Sequence, residues 1–391
     1  MRMKNVSVSD FLKKYTMILA LVVVAIFFSI TTQGKILFPQ NINNLISQNG
    51  YVFVLAAGML LCILTGGNID LAVGSVVCFT GAIGAVMMQA GINMWLAVIV
   101  MLLAGLAIGA FQGFWIAKIY VPAFIATLAG MYAFRGLSNV VLQGYAVSID
   151  NTAFLNIFGG GANCYVPDFI GGGSGINMTC MLLGVIIAAV SFVLTLNKVN
   201  TQKKLGIIES ATEDLVKAGA ISVVILWLFW KLANYKGIPT VLIWVALVLF
   251  IYNYITNKTA IGRHLYAVGG NEKATALSGV NTRNVFLFAY ANMGLLAGLA
   301  GILTVARASS AQPTYGQGYE MDAIAACFIG GASAYGGTGR IAGVIIGAVL
   351  MGLINQGMSI MGIEANYQRV VKGIVLLLAV MFDVLSKREK R

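Results

Sequence analysis

The chain has 391 residues, of which 59% are hydrophobic and only 10% charged, and its mean hydropathy is +0.88. A soluble domain carries about 25% charged residues, so the composition excludes a water-soluble globule and points to an all-α, polytopic membrane protein. The formal net charge of +12 does not argue for nucleic acid, because Lys and Arg gather in short loops and at the two ends, as the positive-inside rule expects.

No short apolar segment with a small-residue cleavage site opens the chain, so a removed signal peptide is not expected. The lead MRMKNVSVSDFLKKY reads as cytoplasmic, and the first span runs from about Tyr15 to Ile30. A second apolar run, Leu45 to Leu64, ends at the Gly-rich interruption Gly66–Ser75; apolar character resumes to Met88 and again from Met94 to Ile119. Pro122 opens the next run, which contains Arg135 and ends near Gln143. Tyr145 to Met178 holds no Lys or Arg and fits an extracytoplasmic loop. After a span from Thr179 to Leu196, the mixed-charge segment 197–217 reads as a cytoplasmic loop with a short amphipathic helix at the membrane surface.

Two further runs cover Ala218–Ala233 and Ile238–Thr256, followed by the polar loop 258–284 and a span from Val285 to Val305. Arg307 to Glu320 is polar and expected to face outward. Met321 to Gly362 is apolar but broken at Gly330–Arg340, and the last run, Val370 to Leu385, ends in the basic stop SKREKR. The count is about twelve spans, with ten as the alternative because a Gly-rich break can be re-entrant, and both termini are cytoplasmic. The whole chain, 1–391, reads as a single transmembrane domain.

The chain lacks G-x-x-x-x-G-K-[ST], so it binds no ATP through a P-loop. Its one histidine, His264, cannot build a zinc site, and its five cysteines show no metal spacing. A Cys164–Cys180 bridge is open, though nothing in the sequence favours it. Intramembrane ionisable residues are scarce, with Asp70 and Arg135 the main ones and Asp322, Lys372 and Asp383 near span ends. Asp70 sits inside GGNIDLAVGS, where it can cap the following helix or touch a solute. The uncharged amides Gln48, Asn49, Asn68, Asn355 and Gln356 suit weak contacts with hydroxyl groups along a path, or serve as hydrogen bonds between helices.

The loop IGRHLYAVGGNEKATALSGVNTR, Ile261–Arg283, contains a capped helix of about two turns. Asn271 is placed as N-cap, Glu272 lies in the first turn where negative charge suits the helix dipole, and Gly279 is placed as the left-handed stop. Ala274 and Leu277 share one face. So short a helix is marginal in water unless something packs on it, which leaves an ordinary connector or a docking knob for a cytoplasmic partner.

The runs GNIDLAVGS, GRHLYAVGGNEKATALSGVN and ARASSAQPTYGQGYEMDAIAACFIGGASAYGGTGRIAGVIIGAVLMGLINQGM resemble the permeases of bacterial monosaccharide ABC importers, from about Asn41 to Asp383. The length and the extra apolar stretch between Thr179 and Thr256 are closer to the xylose or multiple-monosaccharide branch than to the ribose branch. The resemblance implies a permease subunit of the inner membrane, paired as a homodimer. It would work with a separate ATP-binding subunit, which carries ATP and Mg, and with an extracytoplasmic sugar-binding protein. It also implies that Asn271, Glu272, Ala274, Leu277 and Gly279 form the helix that couples to the ATPase. Their match to the pattern E-A-A-x-x-x-G is loose, with Lys273 at the second position and one extra residue before the glycine. Ala72 stands where the family pattern I-D-L-S-V-G-S has serine, so a hydroxyl contact is not carried over. The competing expectations are a secondary transporter and an ABC permease for branched-chain amino acids or nucleosides. A membrane enzyme finds no cluster of acid, base, nucleophile or metal ligand.

Overall fold

In a computed structural model, residues 8–172, 175–205 and 212–388 are described. The start of the basic lead, the middle of the expected loop 197–217 and the last three residues of the basic tail lie outside them. Fifteen α-helices follow in chain order among the described residues. They are α1 (Val8–Thr31), α2 (Pro39–Leu64), α3 (Val73–Gln89), α4 (Met94–Lys118) and α5 (Ala123–Leu142), then α6 (Thr152–Phe158), α7 (Met178–Lys204), α8 (Thr212–Ala233), α9 (Thr240–Lys258) and α10 (Ala260–Gly270). The series ends with α11 (Glu272–Leu277), α12 (Thr282–Ala308), α13 (Tyr319–Ile329), α14 (Ile341–Ile360) and α15 (Ala365–Arg388). The sole sheet among the described residues pairs β1 (Val147–Ser148) with β2 (Ser310–Ala311), antiparallel.

Among the described residues, eight helices, α2, α4, α5, α7, α8, α9, α12 and α14, are long and apolar enough to cross a bilayer. The apolar part of α1, Thr16–Thr31, and α3 are shorter apolar helices. The expected run Met321–Gly362 forms α13 and α14 on either side of its Gly-rich break, and Val370–Leu385 lies within α15. At 11 residues, α13 reaches only about 16 Å, roughly half the hydrocarbon core. The described parts of 197–217 do not form a separate surface helix: α7 continues to Lys204 and α8 resumes at Thr212.

The centre is built on α2 and α12. Most of α2 from Val52 onward is fully buried, in keeping with its unbroken apolar sequence. The two helices run antiparallel, with Gly58 against Met293 and Leu296 while Tyr51 shares a cleft with Leu303 and Thr304. α4 lies along α12 with its backbone in contact: a Cβ on Gly105 would strike the carbonyl of Gly294, and one on Gly109 the carbonyl of Tyr290. Small residues allow this approach, which replaces the hydrophobic drive that lipid cannot supply.

Each central helix is followed by an irregular stretch and then a helix of opposite direction. Residues 65–72 join α2 to α3, and residues 309–318 join α12 to α13. The second stretch packs on the first turn of α3, because Gly74 and Gly316 lie so close that a Cβ on either would strike the other's carbonyl. This segment folds back along α3, where the Cys78 thiol donates to the carbonyls of Gln312 (3.4 Å) and Pro313 (3.6 Å). Arg135 Nη1 donates to the carbonyls of Pro313 (3.0 Å) and Tyr315 (2.6 Å), so this intramembrane cation satisfies loop backbone that has no helical partner.

Residues 143–172 fold over the same end of the bundle. Thr240 Oγ1 donates to the Asn156 carbonyl (3.0 Å) and Trp244 Nε1 to the Ile157 carbonyl (3.0 Å). Asp168 collects the amides of Ile170, Gly171, Met178 and Thr179 at the start of α7, and these N–H donors, Gly171 first, hold its carboxyl well below the usual carboxylate range. Cys164 and Cys180 are both free and buried, so the open bridge does not form.

Candidate functional site

At the opposite end, the loop 258–284 folds as two short helices. Thr259 caps α10 by accepting from Gly262 N (3.2 Å). Asn271 closes α10 and opens α11, its Oδ1 accepting from Ala274 N at 2.9 Å, as the sequence indicates. Gly279 follows the end of α11 with φ 86°, the left-handed stop that glycine adopts at little steric penalty. Of α11 only Thr275 is buried; Glu272, Ala274 and Leu277 all face outward, and Leu277 is 90% exposed.

Beneath this pair, the Gly-rich breaks after α2 and α13 converge. A Cβ on Gly269 of α10 would strike both the Leu64 carbonyl and the Gly337 amide, and one on Gly67 would strike the Ala334 carbonyl. Gly337 N donates to the Leu64 carbonyl (3.1 Å) and Tyr266 Oη to the Gly339 carbonyl (2.7 Å). Asp383 Oδ2 accepts from Ala334 N (3.0 Å), which ties the same break to α15. The outward helix α11 thus rides on α10, and α10 sits on both interruptions of the bundle. Beside it, Asn68, Tyr120, Glu272 and Arg283 line a cleft of about 200 Å³. There Arg283 Nε donates to Tyr120 Oη (2.8 Å).

The path residues expected from sequence do not gather into one site. Asp70 is 2% exposed and its Oδ1 accepts from Ala72 N (2.8 Å), which holds the start of α3. Asn355 Nδ2 donates to Asn49 Oδ1 (3.0 Å), a bond between α14 and α2 of the helix-joining kind. Asn68 donates to the Thr65 carbonyl (3.2 Å) and lines the cleft beside α11. Gln356 is buried, with Oε1 unpartnered among the described residues. Gln48 alone of the expected path residues borders an opening at the far end.

That opening, about 140 Å³, is lined by Ser47, Gln48 and Tyr51 of α2, by Leu303, Thr304, Arg307 and Ala308 of α12, and by Tyr315 and Tyr319. Tyr51 and Tyr319 stack face to face, with centroids 3.6 Å apart and planes inclined by 12°. The Tyr51 hydroxyl donates to Asp322 Oδ2 (2.6 Å), and Lys372 Nζ of α15 pairs with the same oxygen (2.8 Å). Sequence reasoning missed the tyrosines and Arg307. The available signal was Asp322 and Lys372 standing in apolar runs, since such charges mark paired and purposeful positions.

A family profile described as "Branched-chain amino acid transport system / permease component" matches residues 41–380. The chain belongs to this permease family. It is 36% identical over 380 residues to the xylose transport system permease protein XylH of Escherichia coli (strain K12), covering 96% of this chain and 93% of that one. It is 37% identical over 382 residues to XylH of Haemophilus influenzae, covering 97% and 98%. The ribose import permease protein RbsC of E. coli (strain K12) is 36% identical over 345 residues, covering 88% and 85%. No solved structure matches the chain. The membership agrees with the polytopic helical bundle described above.

Proposed function

We propose that this permease is the membrane subunit of an ATP-driven importer for a monosaccharide of the xylose and ribose type. It acts in the cytoplasmic membrane as one of two identical copies, with a separate ATP-binding subunit and an extracytoplasmic sugar-binding protein. ATP and its magnesium bind on the partner. The observation that carries the reading is identity of 36–37% to xylose and ribose permeases over nearly the whole chain. The local structure supports it. α11 with Leu277 outward is the coupling helix, and its push reaches both Gly-rich breaks through α10. The family description favours a second reading, a branched-chain amino acid. An α-amino acid brings an ammonium group, for which the cleft bordered by Gln48 and Arg307 provides no carboxylate in its lining.

The test is uptake by the complete transporter in cells lacking their own pentose importers, with labelled xylose, ribose and leucine. The expected result is pentose uptake that survives a protonophore and stops with vanadate, with an ATP-binding chain co-purifying at near equal amount. Leucine uptake without pentose uptake would select the second reading. Uptake abolished by the protonophore but not by vanadate would move the chain to secondary transport.

A further inference from the structure

We propose that the cleft between α2, α12 and α13 is a low-affinity subsite for a neutral monosaccharide, with Gln48 and Arg307 as its hydrogen-bonding heads. The proposal rests on the transport reading and adds a location and a ligand chemistry to it. At about 140 Å³ the cleft lies below the roughly 300–1,000 Å³ of pockets for drug-sized ligands, the scale of a single small ring. It opens beside the exposed Ala308 at the end of the bundle opposite α11.

Its chemistry is that of a polyol site. The side chains of Ser47, Gln48 and Arg307 make no hydrogen bond to another described residue, so a hydroxyl, an amide and a guanidinium are free for a guest. A sugar hydroxyl both donates and accepts, which suits the amide and the serine, while the guanidinium donates to ring or hydroxyl oxygens. Tyr51, Tyr315 and Tyr319 join Leu303, Thr304 and Ala308 in the rest of the wall, and the rings' positions are fixed from behind. Tyr51 is held by its bond to Asp322, itself 0% exposed, by the shared ion pair with Lys372, and by the stack with Tyr319. Tyr315 Oη lies 3.2 Å from Ser310 Oγ, which fixes a third ring. Free polar heads on a rigid aromatic frame are the division of labour that a small-ligand site needs. The few available heads and the opening to one side keep binding weak, which a transit site requires.

The experiment is saturation-transfer NMR on the full chain, purified from membranes with the subunits that accompany it. The probes are D-xylose, D-ribose, a pentose-derived sugar acid and leucine, titrated through the millimolar range. The expected result is saturable transfer to the neutral pentoses. Gln48→Leu and Arg307→Met should each raise the half-saturation concentration roughly three- to tenfold, with elution volume and melting temperature unchanged. If one variant misfolds, the other decides, and Ser47→Ala, a smaller change on the same wall, is read beside them. Absent transfer in the unaltered chain, unchanged half-saturation in the folded variants, or stronger binding of the sugar acid than of the pentose would each overturn the subsite. Pentose uptake without this binding sinks the subsite alone, whereas binding without uptake by the complete transporter sinks the transport reading.

Discussion

Gly279 and Leu277 make α11 a discrete element. At φ 86° the backbone of Gly279 lies where proline, fixed near −65°, cannot follow. Nothing stands within 4 Å of the place a Cβ would occupy there, so a substitution acts on backbone geometry and not on packing. Gly279→Pro is therefore expected to leave the chain at ordinary abundance in the membrane and to lower initial pentose uptake by more than about tenfold, through a misdirected α11. Gly279→Ala, strained by about 1–2 kcal/mol in the left-handed region, should give an intermediate rate. Ordinary uptake with Gly279→Pro would remove α11 from the coupling role. Asn271 and Gly279 were legible because caps and stops act over three or four residues. The Asn49–Asn355 bond was not, because its partners are 306 positions apart and nothing local selects one amide for another.

Among the elements, α4 and α12 pack backbone against backbone along an antiparallel seam. Glycines recur every four residues on α4, at Gly105, Gly109 and Gly113; the first two face Gly294 on α12, with Gly298 beside Gly105, and Gly113 faces Tyr290 and Leu287. Overpacking commonly costs about 1–3 kcal/mol, and a side chain against backbone has no flexible neighbour to yield. Gly109→Leu should sharply lower the melting temperature of the purified chain and the amount recovered as a single species. Gly136→Ala, at an exposed helical glycine with nothing within 4 Å, is the control and should leave both readouts unchanged or slightly raised. Equal melting of the two variants would show that the seam tolerates separation. The spacing of these glycines was visible in the sequence. That they faced α12 was not, because a small-residue stripe names no partner.

Over the whole molecule, Tyr51, Asp322 and Lys372 join α2, α13 and α15, elements separated by 271 and 50 residues at the bonded pairs. Lys372 keeps some exposure, 16% at its side chain, while Asp322 has none. Removing the cation alone would strand a buried carboxylate, which costs about 3–5 kcal/mol, whereas replacing both charges by apolar groups is often nearly neutral. Lys372→Met is thus expected to reduce folded chain in the membrane severely, and Lys372→Met with Asp322→Leu to recover most of it. Fluorescence-detected size exclusion from solubilised membranes measures both. Failure of the second change to recover the fold would mean that the pair does more than balance charge.

The sequence by itself determined the class, the apolar runs and the capped helix of the loop 258–284. These follow from composition, from the length a bilayer demands and from contacts between residues a turn or two apart. It also placed the two Gly-rich interruptions and located Asp70 where a carboxylate can bond the amides that begin a helix. Only the tertiary structure decided that the interruptions meet under α10, that Arg135 serves the carbonyls of an infolded loop, and that Gln48 joins Arg307 and three tyrosines around one opening. Those relations depend on which helix faces pack together, and in a chain that is apolar on nearly every face, hydrophobic periodicity no longer says which face is inward.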